Sequence, residues 1–573
     1  MADTKEDLPA GTVSHHEIAP EAEKPQLSHE EELRGRDFTI SENDLPRGYF
    51  RSASFLGSMF AIGLSFGCGV GGFTLVAPIL GFIDADIGPD PNLTWVAISY
   101  LLTNSVGLML VGRLSDLFGR RWFFIGGNIL ATLGCIVAAT APNIPALIAG
   151  ETLIGLGAAS QLSYACRCHQ TKHLKFLWGI PFSGFATAIG YAFVFQSSVG
   201  WRGVFYVLIA MNVASTLAWF LFYRPPYGRK TRFLKDFDYI GTFIGVLGLI
   251  LLLMGLSWGG ALHPWKVAHV IFTIVVGFVL MVAFVLYETF GNLKEPLLPI
   301  RLFRNTGWVI TIIPWALGAA VYYALAILWA SMVATLYSGG HSAMWAGWRS
   351  CLSNCGILFG EYCGAWGKRK TNYQIMVVFL IGSVLLASMA TCNHDTPVRA
   401  MVLVFLAAAF IGYNEILNST VATIVIDDQR EIGTATDIAG SARSFISTMC
   451  SNVYTVVLTN RLAETIPARV PAALLAAGLP STSIIAFLTA ITAGTPAAWD
   501  ASSSAYSTVF LTTIAFSGIG VMCSFFAPNV DHLLSKDVAV TLHERGTEMV
   551  VGGSDGEGRG EGVDVDSWPS YVS

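Results

Sequence analysis

The chain has 573 residues, of which 53% are hydrophobic and only 13% charged, and its mean hydropathy is +0.57. A soluble domain carries about twice that charged fraction, so lipid is the solvent for most of the chain and a soluble globular protein is excluded. The net charge of −5 is unevenly spread: residues 1–50 hold 12 acidic and 5 basic side chains, residues 527–573 hold 9 and 3, and residues 51–526 hold 18 and 26. In chain order, an acidic N-terminal tail (1–50) comes first, too polar to bury a core and expected to be disordered and cytoplasmic. It has no secretory signal, so the first apolar span is expected to serve as the targeting signal.

A helix that crosses the hydrocarbon needs about 20 mostly apolar residues. Candidates follow near 54–81, 93–112, 122–140, 145–164, 177–199, 203–223, 238–258 and 267–288, then near 307–334, 343–366, 374–391, 398–418, 432–459 and 507–526, fourteen in all. Several are rich in glycine, such as GSMFAIGLSFGCGVGGF (57–73), which suits close helix approach. With the N-terminus cytoplasmic, the loops after even-numbered spans hold 18 Lys and Arg, and the odd loops hold only Arg202, Lys266, Arg399, Arg461 and Arg469. That bias predicts both termini inside. Twelve spans plus two buried helices is the alternative, but it scrambles the sides of the later loops. Residues 460–506 are then a long extracellular loop on the membrane surface, and 527–573 a second disordered acidic cytoplasmic tail. The ten cysteines lie mostly inside apolar runs and read as free thiols.

Between spans two and three stands GRLSDLFGRR, with four charges in ten residues. Orientation alone needs only its arginines. Gly112 and Gly119 suit a tight turn or a close backbone approach. Asp116 can accept from Arg113 or Arg120, or sit against a helix N-terminus, and Arg121 adds a further cation. The pattern Gly-x-Leu-x-Asp-x-x-Gly-Arg-Arg resembles the signature loop of the major facilitator superfamily. FDYIGTFIGVLGLILLLMGLSWGG (237–260) and EPLLPIRLF (295–303) resemble the extra span pair and following loop of fourteen-span drug:proton antiporters. GILFGEYCGAWGKRK (356–370) resembles the second-half counterpart of the signature loop, and IDDQREIGTATDIAGSARSFISTMCSNVYTVVLTNRL (426–462) is most similar to the fungal trichothecene efflux pump family.

The resemblance implies an all-α membrane protein of the major facilitator fold, with two six-helix bundles plus two additional transmembrane helices. The bundles would be 51–225 and 291–526, with the inserted pair at 226–290. It further implies alternating access, a substrate site near the midplane, and a loop in which Gly112, Asp116, Gly119, Arg120 and Arg121 latch the two halves in the outward-facing state. Two stretches depart from the family. CRCHQTKH (166–173), within the unusual 164–176 loop, replaces a Gly-Glu-Leu-Val-Pro type run, and the fifth span shows only GFATAIGYAF where the antiporter pattern is expected, although WRGVFY (201–206) follows as usual. Cys-x-Cys spacing is poor for zinc, so no metal is expected there.

An ionisable group at the bilayer centre costs about 2.5–3.5 kcal/mol, so such groups face a cavity or a partner. The proton-coupling candidates are Glu151, where relatives carry Arg, then Glu361, Glu415, Asp437 and Arg443. Asp437 and Arg443 are six apart, so their partners must come from other helices; Arg443 is expected to counter an inward carboxylate. Arg349 and Glu288 are expected to snorkel. Asn104, Tyr322, Tyr323, Trp329 and Asn414 are candidates for the substrate path. Asn92 opens a glycosylation sequon very close to the membrane.

These features predict a secondary transporter exporting small amphipathic toxins, drugs or secondary metabolites in exchange for protons, in the plasma membrane or else a vacuolar or vesicle membrane. Gly367-Lys368 is followed by Arg369, so there is no phosphate-binding loop for ATP. Proton-coupled uptake of a siderophore-iron chelate is the alternative. A membrane-embedded enzyme would need clustered histidines or paired acids at one depth, and a sensor a folded cytosolic extension. The expected partners are a small-molecule substrate, protons and the lipid bilayer; no nucleic acid, no cofactor and no metal is expected, and the chain is expected to be a monomer.

Overall fold

A computed structural model describes residues 52–90, 92–118, 120–167, 182–223, 238–260, 263–291, 293, 297–299, 301–364, 370–426, 432–476 and 496–531. Both acidic tails and most of CRCHQTKH lie outside the described residues.

Helix α1 (Ala53–Thr74) starts where the Ser52 hydroxyl accepts from the Phe55 amide at 3.2 Å. Pro78 has no N–H to offer Thr74, so the α-helix gives way to a 3₁₀ turn (Ala77–Ile79) before α2 (Leu80–Ile87) continues the span. Next come α3 (Thr94–Phe118), α4 (Arg120–Ala139), α5 (Ile144–Arg167), α6 (Ala186–Gln196) and α7 (Arg202–Phe222). The pair α8 (Tyr239–Trp258) and α9 (Ala268–Phe290) follows, then the single turn α10 (Arg301–Arg304). Helix α11 (Thr306–Met332), capped by Asn305, runs into a π turn (Val333–Tyr337). Finally come α12 (Ala343–Gly364), α13 (Thr371–Ser388), α14 (Pro397–Ile424), α15 (Ile432–Ala476) and α16 (Pro496–Ser524).

Among the described residues ten helices are long and apolar enough to cross a membrane. The other four expected spans fall on α5, α6, α12 and α15, which are helical but not among those ten. Three of them carry polar side chains of the interior or the cavity: Glu151 and Gln161 on α5, Asn354 and Glu361 on α12, Asp437 and Arg443 on α15. A helix that turns polar groups toward neighbours rather than toward lipid needs less overall apolarity. Helix α6 has only 11 residues, and residues 168–181 before it lie outside the described residues.

The expected loop at 460–506 differs most from the structure. Helix α15 continues to Ala476 despite Pro467 and Pro471, and α16 already begins at Pro496. The two extensions pack on each other: Thr465 donates to the Ala501 carbonyl at 3.2 Å, Arg469 to that of Asp500 at 3.2 Å, and Val470 is fully buried. Tertiary contact outweighs the proline signal here.

Several helix pairs approach so closely that no side chain fits between them. A Cβ on Gly356 would lie 2.5 Å from the Phe405 carbonyl oxygen, and the Ala409 and Tyr413 carbonyls crowd Gly360 and Gly364 in the same way, so α12 meets the backbone of α14. Gly134 and Gly157 of α4 and α5 lie equally close to each other's helix. Helices α8 and α9 pack on one another and, through Leu249, Leu253 and Phe284, on Leu102, Val106 and Met109 of α3. Their outer faces, with Phe243, Phe272, Phe278 and Phe290, are bare. The largest apolar cluster joins helices from Phe73 to Leu208 with helices from Leu317 to Phe510.

Candidate functional site

A cavity of about 1080 Å³, including the part open to solvent, lies between helices from early and late in the chain. Its wall takes Phe66 and Phe73 from α1, Tyr100 from α3, Ser163 from α5, Trp315, Tyr322 and Tyr323 from α11, Asn354 and Glu361 from α12, Glu415 from α14, and Asp437 and Arg443 from α15. On α5, α12 and α14 these positions run from mid-length toward the end at which the helix finishes, on α15 they lie near the end at which it begins, and on α11 they lie around mid-length. Spacing explains α12: Asn354, Ile357, Leu358 and Glu361 recur at i, i+3, i+4 and i+7, one face of a helix.

The wall sets four ionisable groups among aromatic, aliphatic and hydroxyl side chains. Tyr323 lies edge-on to Phe73 with ring centroids 5.0 Å apart and beside Tyr322 at 4.9 Å, and the Arg443 guanidinium stands 5.6 Å over its ring. Arg443 forms an ion pair with Glu415, and both side chains are largely buried. Asp437 is 1% exposed and accepts from the Ser163 hydroxyl at 2.7 Å. The two partners therefore do come from other helices, α14 and α5.

Helices α3 and α15 run antiparallel in direct contact beside the cavity. Ser105 and Ser441 each donate to the other's carbonyl, at 3.0 and 2.8 Å, and Asn104 donates to Ser444 at 3.0 Å. At the end of this seam Gly112 lies against Asp437: a Cβ on Gly112 would be 2.7 Å from the Asp437 Cβ.

The other expected site residues separate. Asn104 belongs to the seam and not to the wall. Trp329 is fully buried and donates to the Arg349 carbonyl at 3.0 Å, and Asn414 donates to the Pro314 carbonyl at 3.2 Å; both tie helices together away from the wall. Glu151 is 1% exposed on α5 but off the wall, and its Oε1 has no hydrogen-bond partner among the described residues. Arg121 donates to the Phe220 carbonyl at 2.6 Å and so fastens α4 to the end of α7; Arg120 opens α4. Gly119 and the Asp116 side chain lie outside the described residues. Arg349 is exposed beside Trp345, as a snorkelling residue should be. Glu288 does not snorkel: it is buried, and its Oε1 accepts from the Leu297 amide at 3.0 Å and the Leu298 amide at 3.4 Å. The chain leaving α9 has amides with no helix to satisfy them, and Glu288 meets that need. Ser163, Trp315 and Asn354 were not singled out from the sequence. The i, i+7 spacing of Asn354 and Glu361 was the signal for one of them.

A helical membrane chain with a polar-centred cavity between early and late helices has the build of a transporter. A bacterial homologue of the human lysosomal transporter Spinster, solved inward-facing and unoccupied, shares the fold with a TM-score of 0.51 at 14% identity, over 83% of this chain and 96% of its own. The profile of the fungal trichothecene efflux pump (TRI12) family matches residues 16–510, and the chain belongs to that family. The trichothecene efflux pump of Fusarium sporotrichioides is 25% identical over 561 residues, covering 90% of this chain and 93% of that pump. Multidrug resistance protein 3 of Bacillus subtilis (strain 168) is 25% identical over 402 residues, covering 68% and 76%.

Proposed function

We propose that the chain exports a small amphipathic toxin or secondary metabolite in exchange for protons, by alternating access. The observation that carries this reading is the group of Glu361, Glu415, Asp437 and Arg443 gathered on the wall of one cavity among aromatic and aliphatic side chains. A carboxyl group deep in an apolar bundle is stable only when protonated or countered, so its charge state depends on what shares the cavity with it. Protons and substrate then stabilise different arrangements of the same helices, which is the condition for exchange. The matching family and the Fusarium sporotrichioides relative are efflux pumps by name, which supports export rather than ferric-chelate uptake.

The proposed architecture is fourteen spans with both termini cytoplasmic, bundles at 51–225 and 291–526, and the pair at 226–290 between them. The cavity then opens from mid-membrane toward the basic, cytoplasmic side. The loop of Gly112, Asp116, Gly119, Arg120 and Arg121 is the proposed gate, and its Gly112 lies against Asp437 of α15. The proposed membrane is the plasma membrane, and the proposed working unit a monomer. A sensitivity panel tests the export reading: cells expressing the chain should tolerate at least one amphipathic toxin several-fold better than cells lacking it and retain less of it. Equal retention of every compound in the panel overturns the reading.

A further inference from the structure

We infer that Asn354 is the residue by which this cavity selects its occupant, and that the group it selects is a lactam or imide, an uncharged amide edge. The inference rests on the export reading and narrows its substrate class. Asn354 lies midway along α12, a helix that shares its faces among three neighbours. Gly356, Gly360 and Gly364 lie against α14. Cys351 and Cys355 meet the backbone of α6 and the residues before it: the Cys351 sulfur accepts from the Ala188 amide at 3.2 Å, and the Cys355 thiol donates to the Gly184 carbonyl at 3.5 Å. The face left for the cavity holds Asn354, Ile357, Leu358 and Glu361.

On that face Asn354 is 2% exposed, and neither its amide nitrogen nor its oxygen has a hydrogen-bond partner among the described residues. The other buried amides of the bundle are engaged on at least one side: Asn414 donates to the Pro314 carbonyl, Asn418 to Asn414, and Asn452 to the Leu256 carbonyl. Among the described residues Asn354 is the one buried amide with both ends unmet. Buried polar groups are nearly always paired, because an unmet one costs the fold free energy, so a partner from outside the chain explains this exception. A second unmet group stands on the same wall: Trp315 is 3% exposed, and its indole N–H has no partner among the described residues. An asparagine amide presents its N–H donors and its carbonyl acceptor side by side. A cation or a carboxylate answers one of the two and strands the other. A lactam or imide answers both, with its own carbonyl and N–H, and brings no charge to desolvate. An undissociated carboxylic acid has the same edge but loses its donor at neutral pH. A further oxygen of the occupant can accept from Trp315, and Ile357, Leu358 and Phe73 receive its apolar remainder.

The test uses the purified full-length chain in lipid nanodiscs and two uncharged probes on the same rings, phenanthridinone and N-methylphenanthridinone. Methylation removes the lactam donor and leaves its carbonyl. Phenanthridinone should bind about ten-fold or more tightly than its N-methyl analogue, after correction for uptake by empty nanodiscs. Asn354→Leu should bring the two affinities together, whereas a merely structural asparagine would shift both probes alike and keep their ratio. Should the leucine variant not fold, Asn354→Ala carries the same comparison, and the contrast in the unaltered chain decides by itself. Equal affinity in the unaltered chain, as expected where water alone meets the amide, overturns the inference. So does binding of neither probe, or a preference that survives substitution of Asn354. In proteoliposomes, gradient-driven movement of other amphipathic compounds without any preference for the lactam refutes the inference and leaves export standing; movement of no compound refutes export.

Discussion

Gly112 and Asp437 meet where the signature loop begins, and that contact supplies the partner for the close approach that the glycine suggests in the sequence. Alanine there would place a methyl carbon 2.7 Å from the Asp437 Cβ, an atom fixed directly to the α15 backbone rather than the far end of a flexible side chain. Gly112→Ala should therefore separate α3 from α15 at an overpacking cost of about 1–3 kcal/mol, seen as a lowered Tm in detergent; an unchanged Tm contradicts the contact. The ion pair between Arg443 and Glu415 calls for a different comparison. Removing one member strands a buried charge at a cost of about 3–5 kcal/mol, whereas removing both is far milder. Arg443→Gln should thus lower Tm markedly, and adding Glu415→Gln should recover most of the loss. Two single losses that simply add in the double variant would show that the residues do not act as a pair.

At the scale of helices, glycine decides how near two axes come. Gly356, Gly360 and Gly364 recur every four residues along α12 and face carbonyl groups of α14. Gly360→Val should abolish monodisperse folded protein in size-exclusion chromatography, whereas Gly81→Val, at a position with open space around its Cβ, should not. This stripe belongs to GILFGEYCGAWGKRK, whose likeness to a gating loop hides a packing surface; residues 365–369 of it lie outside the described residues. Most helix positions were legible because lipid demands long apolar runs. The ends of α15 and α16 were not, because prolines at 467 and 471 signal a break that packing overrides. For single side chains legibility follows the same logic. Glu361, Glu415, Asp437 and Arg443 stand out as ionisable groups in apolar runs, and all four reach the wall. Trp329, Asn104 and Glu288 have equally distinctive identities, but the hydrogen-bond partner of each lies far off in sequence or beyond a turn. Ser163 is one serine among many until Asp437 stands beside it.

Across the whole molecule, the α3–α15 seam joins an early helix to a late one, and alternating access requires such a seam to loosen. Cysteines replacing Ser105 and Ser441, whose backbones exchange hydrogen bonds with those side chains, should crosslink under oxidation. Transport should stop when the crosslink forms and return with reductant; transport that continues through a complete crosslink contradicts movement at the seam. The central claim is that export draws on protons through the cavity's carboxyl groups. Its most direct measurement is substrate accumulation in proteoliposomes under an imposed pH gradient, before and after an ionophore collapses it. The account predicts uphill accumulation that vanishes with the gradient, and accumulation that persists without any gradient would contradict it.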